Sequence, residues 1–251
     1  MKRTIMTLLA GLVALACTKG LEPAEVSVSF RVDGVVNGGM PTKGDAEVAE
    51  VLSGIAPAYA PTLTIQSKTN PKRVYTARPG DVLTLAVDSY HVTGEGGGGG
   101  QKSIFGGKIY TSPLYAIDQD VVVGEDGGEY VLNGFYTCFA VVYDCADVAS
   151  LGFSDVTNSG YVGPDVWVGD EQYHVSFVVR SGGSWTASQP LKVSVVPVDD
   201  VNYEETEYRI SYGPGAQVGV SNGRWYLFSP SGVDVASGDI DVNLPGWEKG
   251  E

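Results

Sequence analysis

Apolar and polar residues alternate in short runs along most of this chain. The clearest run is Val26-Ser27-Val28-Ser29-Phe30-Arg31-Val32, apolar at every second position over seven residues. A two-residue period is what a strand with one buried face requires. Further strands are expected at Thr62–Ser67, Arg73–Ala77, Val82–Val92, Lys108–Ala116 and Asp120–Val123, each closed by Gly, Pro or Asp. A long strand is expected at Tyr130–Asp144, followed by others near Tyr161–Val168, Tyr173–Arg180, Leu191–Val198, Glu207–Tyr212, Ala216–Val220, Trp225–Ser229 and Val233–Val242. Helical periodicity is confined to Asp45–Ile55, where Val48, Val51, Leu52 and Ile55 fall at i, i+3, i+4 and i+7. With Asp45 as N-cap and Gly54 and Pro57 as the stop, one short amphipathic helix is predicted, plugging an open end of a sandwich.

Many short strands with 34 glycines and 13 prolines between them predict an all-β protein built of β-sandwiches. The polar stretch Glu125-Asp126-Gly127-Gly128 divides the chain best, giving two tandem β-sandwich domains at 26–125 and 128–247. Gly94–Gly100, with five consecutive glycines at 96–100, reads as the mobile tip of a hairpin loop. No fixed-period internal repeat is visible.

The first residues set the compartment. Lys2 and Arg3 precede an apolar run from Ile5 to Ala16, followed by Cys17. About a dozen apolar residues fall short of the roughly twenty that span a bilayer, so this is a signal peptide of residues 1–16. Ala14-Leu15-Ala16-Cys17 looks like a lipobox, departing from the usual Leu at Ala14, in which the Cys17 thiol is acylated, with palmitate among the expected chains, and becomes the new N-terminus. Residues 17–25 are then a lipidated tether, and by resemblance to known lipoprotein sorting Thr18 in place of Asp implies the outer membrane. Cys138 and Cys145 remain. In a continuous strand, seven residues span roughly 23 Å and set the two side chains on opposite faces, so a bridge needs a break between them. Cys138 is expected as a buried apolar residue and Cys145 is left open.

Net charge is −14, and loss of Lys2 and Arg3 leaves 14 basic residues against 30 acidic, or −16. Nucleic acids and anionic membrane surfaces are repelled by such a chain, and the acidity itself serves solubility. Gly100-Gln101-Lys102-Ser103 misses the phosphate-loop pattern, because Gln101 intrudes and a strand follows in place of a helix. His91 and His174 lie in separate predicted strands with no zinc or Cys/His spacing, and read as hydrogen-bonded strand residues. Gly152-Phe153-Ser154-Asp155 lacks the final glycine of a serine nucleophile elbow. The acidic groups Asp118/Asp120, Glu125/Asp126/Glu129 and Asp199–Glu207 match no EF-hand and read as solvated loop charge. No cofactor or metal is called for, and no catalytic residue is assigned.

Aromatic residues carry the remaining candidates. Trp185, in the polar loop Arg180-Ser181-Gly182-Gly183-Ser184-Trp185, and Trp247, near the end of the chain, are the proposed ligand contacts, since a flat exposed indole stacks on a sugar or a partner surface. Trp167 and Trp225 fall within strand patterns and are expected in the core.

The lipobox, the Val26–Val32 strand, Met40-Pro41-Thr42-Lys43-Gly44-Asp45, and Leu132-Asn133-Gly134-Phe135-Tyr136-Thr137 at the head of a strand together resemble the fimbrillin-like and related lipoproteins of the Bacteroidetes. The resemblance implies immunoglobulin-like or transthyretin-like sandwiches, a lipid anchor, and a non-enzymatic role in cell adhesion or fimbria-type assembly with other envelope or fimbrial proteins. The alternative is a glycan-binding lipoprotein assisting polysaccharide capture through Trp185. The chain departs from the group after Cys17, where Thr18-Lys19-Gly20-Leu21-Glu22 lacks the acidic cluster that accompanies surface export, leaving cell surface and periplasmic face both open.

Overall fold

The computed structural model describes residues 23–35, 46–154, 161–163, 167–198, 205–230 and 235–240. The chain runs through β1 (Glu25–Val35), helix α1 (Ala46–Ser53), β2 (Thr62–Ser67), β3 (Val74–Ala77), β4 (Val82–Ala86), β5 (Asp88–Gly97), β6 (Gln101–Ile104) and β7 (Gly107–Tyr110). It continues through β8 (Leu114–Val123), β9 (Gly128–Tyr136), β10 (Phe139–Asp144), β11 (Val148–Ser154), β12 (Tyr161–Val162) and β13 (Val168–Gly169). The last elements are β14 (Tyr173–Arg180), β15 (Leu191–Pro197), β16 (Thr206–Ser211), β17 (Val218–Gly219), β18 (Arg224–Phe228) and β19 (Ala236–Asp239). The described chain is nearly all β, as the alternating pattern predicts. Asp45, the expected helix cap, lies outside the described residues.

These strands form three sheets. The first has the order β3-β2-β5-β8-β9-β1-β4; the middle one β19-β18-β10-β14-β7-β6, with β13 beside β14; the third β12-β11-β15-β16-β17. Val28, Phe30, Leu63, Ile65, Tyr90, Ile117 and Leu132 of the first sheet pack with Ala140, Val142, Val175, Phe177 and Trp225 of the middle one in a single core. The alternate residues of the same middle strands, Phe139, Val141, Tyr143, Val178, Tyr226 and Phe228, join Leu151, Phe153, Val193, Val195 and Ile210 in a second. A strand buried on both faces has no polar side to show, which explains the unbroken apolar run from Phe139 to Tyr143. Helix α1 closes the first core with Val48 and Leu52, joined by Ile55 just beyond its end.

Two observations bear on the division at residues 125–128. Gly124–Gly127 is a turn, closed by the Gly127 N–H donating to the Gly124 carbonyl at 3.2 Å, between β8 and β9, which are neighbours in one sheet. Moreover β6 and β7, from the N-terminal half of the sequence, belong to the middle sheet, where β7 pairs with β14. The two cores therefore share a sheet.

Four expected strands each become two elements, one of them Tyr161–Val168, whose ends are β12 in the third sheet and β13 in the middle one. Val82–Val92 breaks at Val87, because β4 pairs with β1 while β5 lies between β2 and β8. Lys108–Ala116 breaks at Thr111–Pro113 and Tyr130–Asp144 at Thr137–Cys138, because at both places the chain leaves one sheet for another. Apolar continuity hides such breaks: the residues remain buried while their neighbours change.

The crossings between the first two sheets lie together. Thr137 N–H donates to the Leu114 carbonyl (3.0 Å), Thr111 N–H to Gly100 (3.1 Å), and Gly97 N–H to Tyr59 (2.8 Å). Cys138 Sγ accepts the Leu114 N–H at 3.3 Å, and burial pushes its thiol up to about 12. Cys138 and Cys145 are both free, one buried and the other half-buried, with β10 running unbroken between them.

The glycine run belongs to this seam: Gly94–Gly97 lie within β5, and Gly98–Gly100 connect it to β6 of another sheet, so no hairpin forms here. Gly94–Gly97 pair in register with Ile117–Leu114. Gly96 lies beneath the Tyr115 ring, where a methyl group would come within 2.5 Å of its phenolic carbon, and Gly97 has φ +86° with Pro113 O occupying the place of a side chain. Here the glycines are selected by close approach of ring and backbone.

Elsewhere a polar cluster pins the β2–β3 turn to the start of β5. Ser67 and Thr69 hydroxyls donate to Asp88 Oδ2 at 2.5 and 2.6 Å, and Ser89 N–H donates to its Oδ1 at 2.7 Å. Burial pulls the Asp88 carboxyl upward, but these hydrogen bonds and the charge of Arg73 outweigh it and leave it below the usual carboxylate range. A depressed carboxyl stabilises the fold above its unfolded pKa and loses that contribution as pH falls through the native one. Thermal melts of Asp88→Asn should therefore fall below those of the parent at neutral pH, and the gap should narrow below about pH 4.

Candidate functional site

Trp185 is not exposed. It is wholly buried, with φ +55° turning the side chain inward from its loop. Its Nε1–H donates to the Phe105 carbonyl at 2.6 Å and its ring meets Phe139 edge to face at 6.1 Å. Gly106 and Gly107 leave the space it fills; a methyl group on Gly107 would lie 2.6 Å from the indole. An indole so enclosed offers no face to a sugar, so the glycan reading loses the residue it rested on. Cys17 and Trp247 lie outside the described residues.

The two histidines and the acidic pair at 118 and 120 are surface features of strands. On the solvent face of the first sheet, the register aligns Val74, Gln66, His91 and Asp120 in one row and Thr76, Thr64, Thr93 and Asp118 in the next. His91 Nδ1 lies 3.0 Å from Asp120 Oδ1, its Nε2 is 3.5 Å from Asp118 Oδ1, and Lys68 Nζ reaches Asp120 Oδ2 at 2.7 Å. The Lys68 and His91 hydrogen bonds hold Asp120 below the usual range. Asp118 and Asp120, read as solvated loop charge although Asp120 opens an expected strand, both stand on β8, where Val121 and Val123 alternate with them into the core. His174 Nδ1 bonds the Tyr143 hydroxyl at 2.8 Å. Among the described residues no cluster of His, Cys, Asp and Glu is arranged to hold a metal ion, and no helix is long and apolar enough to cross a membrane.

The candidate site is a groove of about 770 Å³ between α1, the sheet-crossing seam and the β13–β14 turn. Its shape follows from the sequence. The apolar face of α1 is turned into the core by Val48 and Leu52, which leaves Glu47 and Glu50 at the groove. Opposite, Gly169 permits a tight turn with φ +130°, and Asp170 Oδ1 accepts the N–H groups of Gln172 (2.9 Å) and Tyr173 (2.8 Å), fixing its carboxylate at the rim. The Tyr173 hydroxyl donates to Glu47 Oε2 at 3.2 Å, tying helix to sheet.

Trp167 completes the wall. Its ring lies 5.2 Å from His174 at a 37° tilt and receives Tyr143 edge to face at 5.0 Å, so two aromatic neighbours hold a half-buried indole in place. Burial pushes the Tyr143 phenol up to about 12, keeping it neutral and able to donate to His174. The core expectation holds for Trp225, which is buried, but Trp167 also borders the groove. The available signal was its position two residues before the Gly169-Asp170 turn, at an element end where side chains reach a rim.

No protein-family model and no curated protein matches this chain. Among solved structures it is similar to a candidate cell adhesion protein from Bacteroides uniformis, at 12% identity and TM-score 0.43, covering 87% of this chain and 98% of that one. It is likewise similar to one from Bacteroides fragilis (8%, 0.41, covering 90% and 99%) and to a fimbrial protein from Bacteroides ovatus (8%, 0.42, covering 84% and 49%). At such identities and TM-scores these structures assign no ligand or partner to this chain.

Proposed function

We propose that this is a non-enzymatic lipoprotein of a Bacteroidetes envelope, held at the outer membrane through acylated Cys17, that presents its β-sheet body for adhesion or fimbria-type assembly. The observation that carries the reading is the basic-apolar leader ending in Ala14-Leu15-Ala16-Cys17, with the first strand opening at Glu25. A tether this short holds the body close to the bilayer, and an acidic body is kept from lying on anionic headgroups by repulsion. The outer face of the first sheet, where Thr and Asp rows stand beside exposed Val74, Val82, Val122, Val131 and Phe135, is a mixed surface on which such a body can meet partners. Metabolic labelling with an alkynyl fatty acid should mark the parent chain in the membrane fraction, and Cys17→Ser should abolish the label and release the protein to the soluble fraction. An unlabelled parent, or a Cys17→Ser protein that stays with the membrane, would reject the anchor.

A further inference from the structure

We infer that the outer face of the third sheet carries a binding pocket for a sugar acid, whose carboxylate meets the Arg209 guanidinium while its hydroxyls reach Ser211, Gln217 and Glu207. This goes beyond the adhesion or assembly reading and depends neither on it nor on the anchor.

The pocket encloses about 560 Å³, with Ala187, Pro190 and Gly215 as small walls around those four polar residues. Its construction follows from alternation along β16. Tyr208 and Ile210 join the second core, which turns Glu207, Arg209 and Ser211 to the opposite face of the sheet. Gly213 and Gly215, at φ +84° and +85°, then bring the chain back so that Gln217 lies beside β16, where its Oε1 accepts the Arg209 N–H at 3.1 Å.

Ser211 is the residue that points to a ligand. It is only 1% exposed, its side chain lines the pocket, and its hydroxyl has no hydrogen-bond partner among the described residues. A hydroxyl withdrawn from water and left unanswered costs the fold free energy, and here it stands where a bound molecule can supply the missing partner.

The groups around it specify the chemistry. Arg209 gives its Nε–H to Glu207 Oε1 at 3.2 Å, while its two Nη groups are without a partner among the described residues, on a guanidinium that reaches solvent. Two parallel N–H donors are what a carboxylate answers with both oxygens. Gln217, with its Oε1 occupied, offers its amide N–H groups. The Tyr161 hydroxyl (2.6 Å), joined by Lys192 (3.1 Å) and Arg209, holds Glu207 below the usual carboxylate range against the pull of burial, so it remains an acceptor. A molecule with a carboxylate and hydroxyls gives each of these groups its complement, because a hydroxyl both donates and accepts; an acidic peptide side chain brings acceptors alone. Arg209 and Ser211 stand two residues apart on one strand face, about 7 Å, a distance that one sugar ring with its carboxylate spans. Glu207 and Gln217 already orient Arg209, so little side-chain ordering opposes binding.

The test uses the chain from residue 17 onward carrying Cys17→Ser, so that failure of the anchor cannot be confused with failure here. Glucuronate is titrated by isothermal calorimetry beside glucose and acetate. Glucuronate should bind; glucose, which lacks the carboxylate, should not, and acetate, which lacks the hydroxyls, should bind about tenfold more weakly or worse. Ser211→Ala should weaken glucuronate binding by about fivefold or more, yet melt at or above the parent, since it removes a hydroxyl that the fold leaves unpaired. Arg209→Lys keeps the charge but loses the planar fork, and should weaken binding by about tenfold. Arg31→Gln, on the outer face of the first sheet, should stay within about twofold of the parent. A Ser211→Ala protein that binds as the parent does would overturn the proposal, as would one that melts well below it, which would show that the hydroxyl serves the fold. Acetate binding as tightly as glucuronate would reduce the pocket to a simple anion contact, and displacement of glucuronate by an Asp-Gly-Asp tripeptide would replace the sugar acid with a peptide; either result rejects the assignment.

Discussion

Trp185→Ala is expected to lower the stability of the protein by about 3–5 kcal/mol, the usual cost of deleting a large buried aromatic side chain. Three losses combine. The indole is wholly buried in the core between the middle and third sheets; its Nε1–H donates to the Phe105 carbonyl, which would be left without that donor; and its ring packs edge to face on Phe139. In a chain of this size the melting temperature should fall by roughly 10 °C or more. Trp185→Phe, which keeps ring volume and loses the N–H, should fall between parent and alanine variant. If differential scanning fluorimetry showed the alanine variant melting with the parent, the loop would have to stand open to solvent, and the stacking role first assigned to Trp185 would return.

Gly97→Ala is the second large effect, and it acts through the backbone. At φ +86° any side chain costs about 1–2 kcal/mol, and here the new methyl group would also overlap the Pro113 carbonyl. That carbonyl accepts the Gly98 N–H at 3.3 Å, so relief of the overlap must move the strand crossing itself. Destabilisation beyond about 3 kcal/mol is expected once the shift is added to the conformational cost. Gly100→Ala, at the end of the run, serves as the comparison. Similar melts for Gly97→Ala and the parent would show that the seam yields freely and that the run is, after all, loose.

These two residues also mark where the sequence stops being legible. Strands with one wet face are readable from alternation: Val26–Val32 and Thr62–Ser67 are strands, and Val48 and Leu52 do turn one face of a helix to the core. Where a strand is buried on both sides the period vanishes. Phe139–Tyr143 then joins the preceding strand without visible punctuation, although the chain changes sheets at Cys138. Glycines carry two opposite meanings, freedom in solvent and close approach in a core, and nothing local to Gly94–Gly100 tells them apart. Only the Tyr115 ring over Gly96 does, from 19 positions further along the chain. Trp185 fails for a related reason: a polar loop predicts exposure, but a left-handed backbone reverses its direction. The groove was the least legible feature. Glu47, Glu50, Trp167 and Asp170 lie more than a hundred residues apart at the extremes and meet only through the packing of α1 beside β14.

The placement of β1 has a mechanical consequence. It is hydrogen-bonded on both sides, antiparallel to β4 through Glu25–Ser29 and parallel to β9 through Val28–Val35. Tension drawn along its axis from the N-terminal end loads both ladders in shear, with many bonds sharing the force at once, whereas a strand peeled from a sheet edge gives up its bonds singly. A chain pulled from its first strand is in this way secured by an arrangement that resists rupture by sharing the load between two ladders.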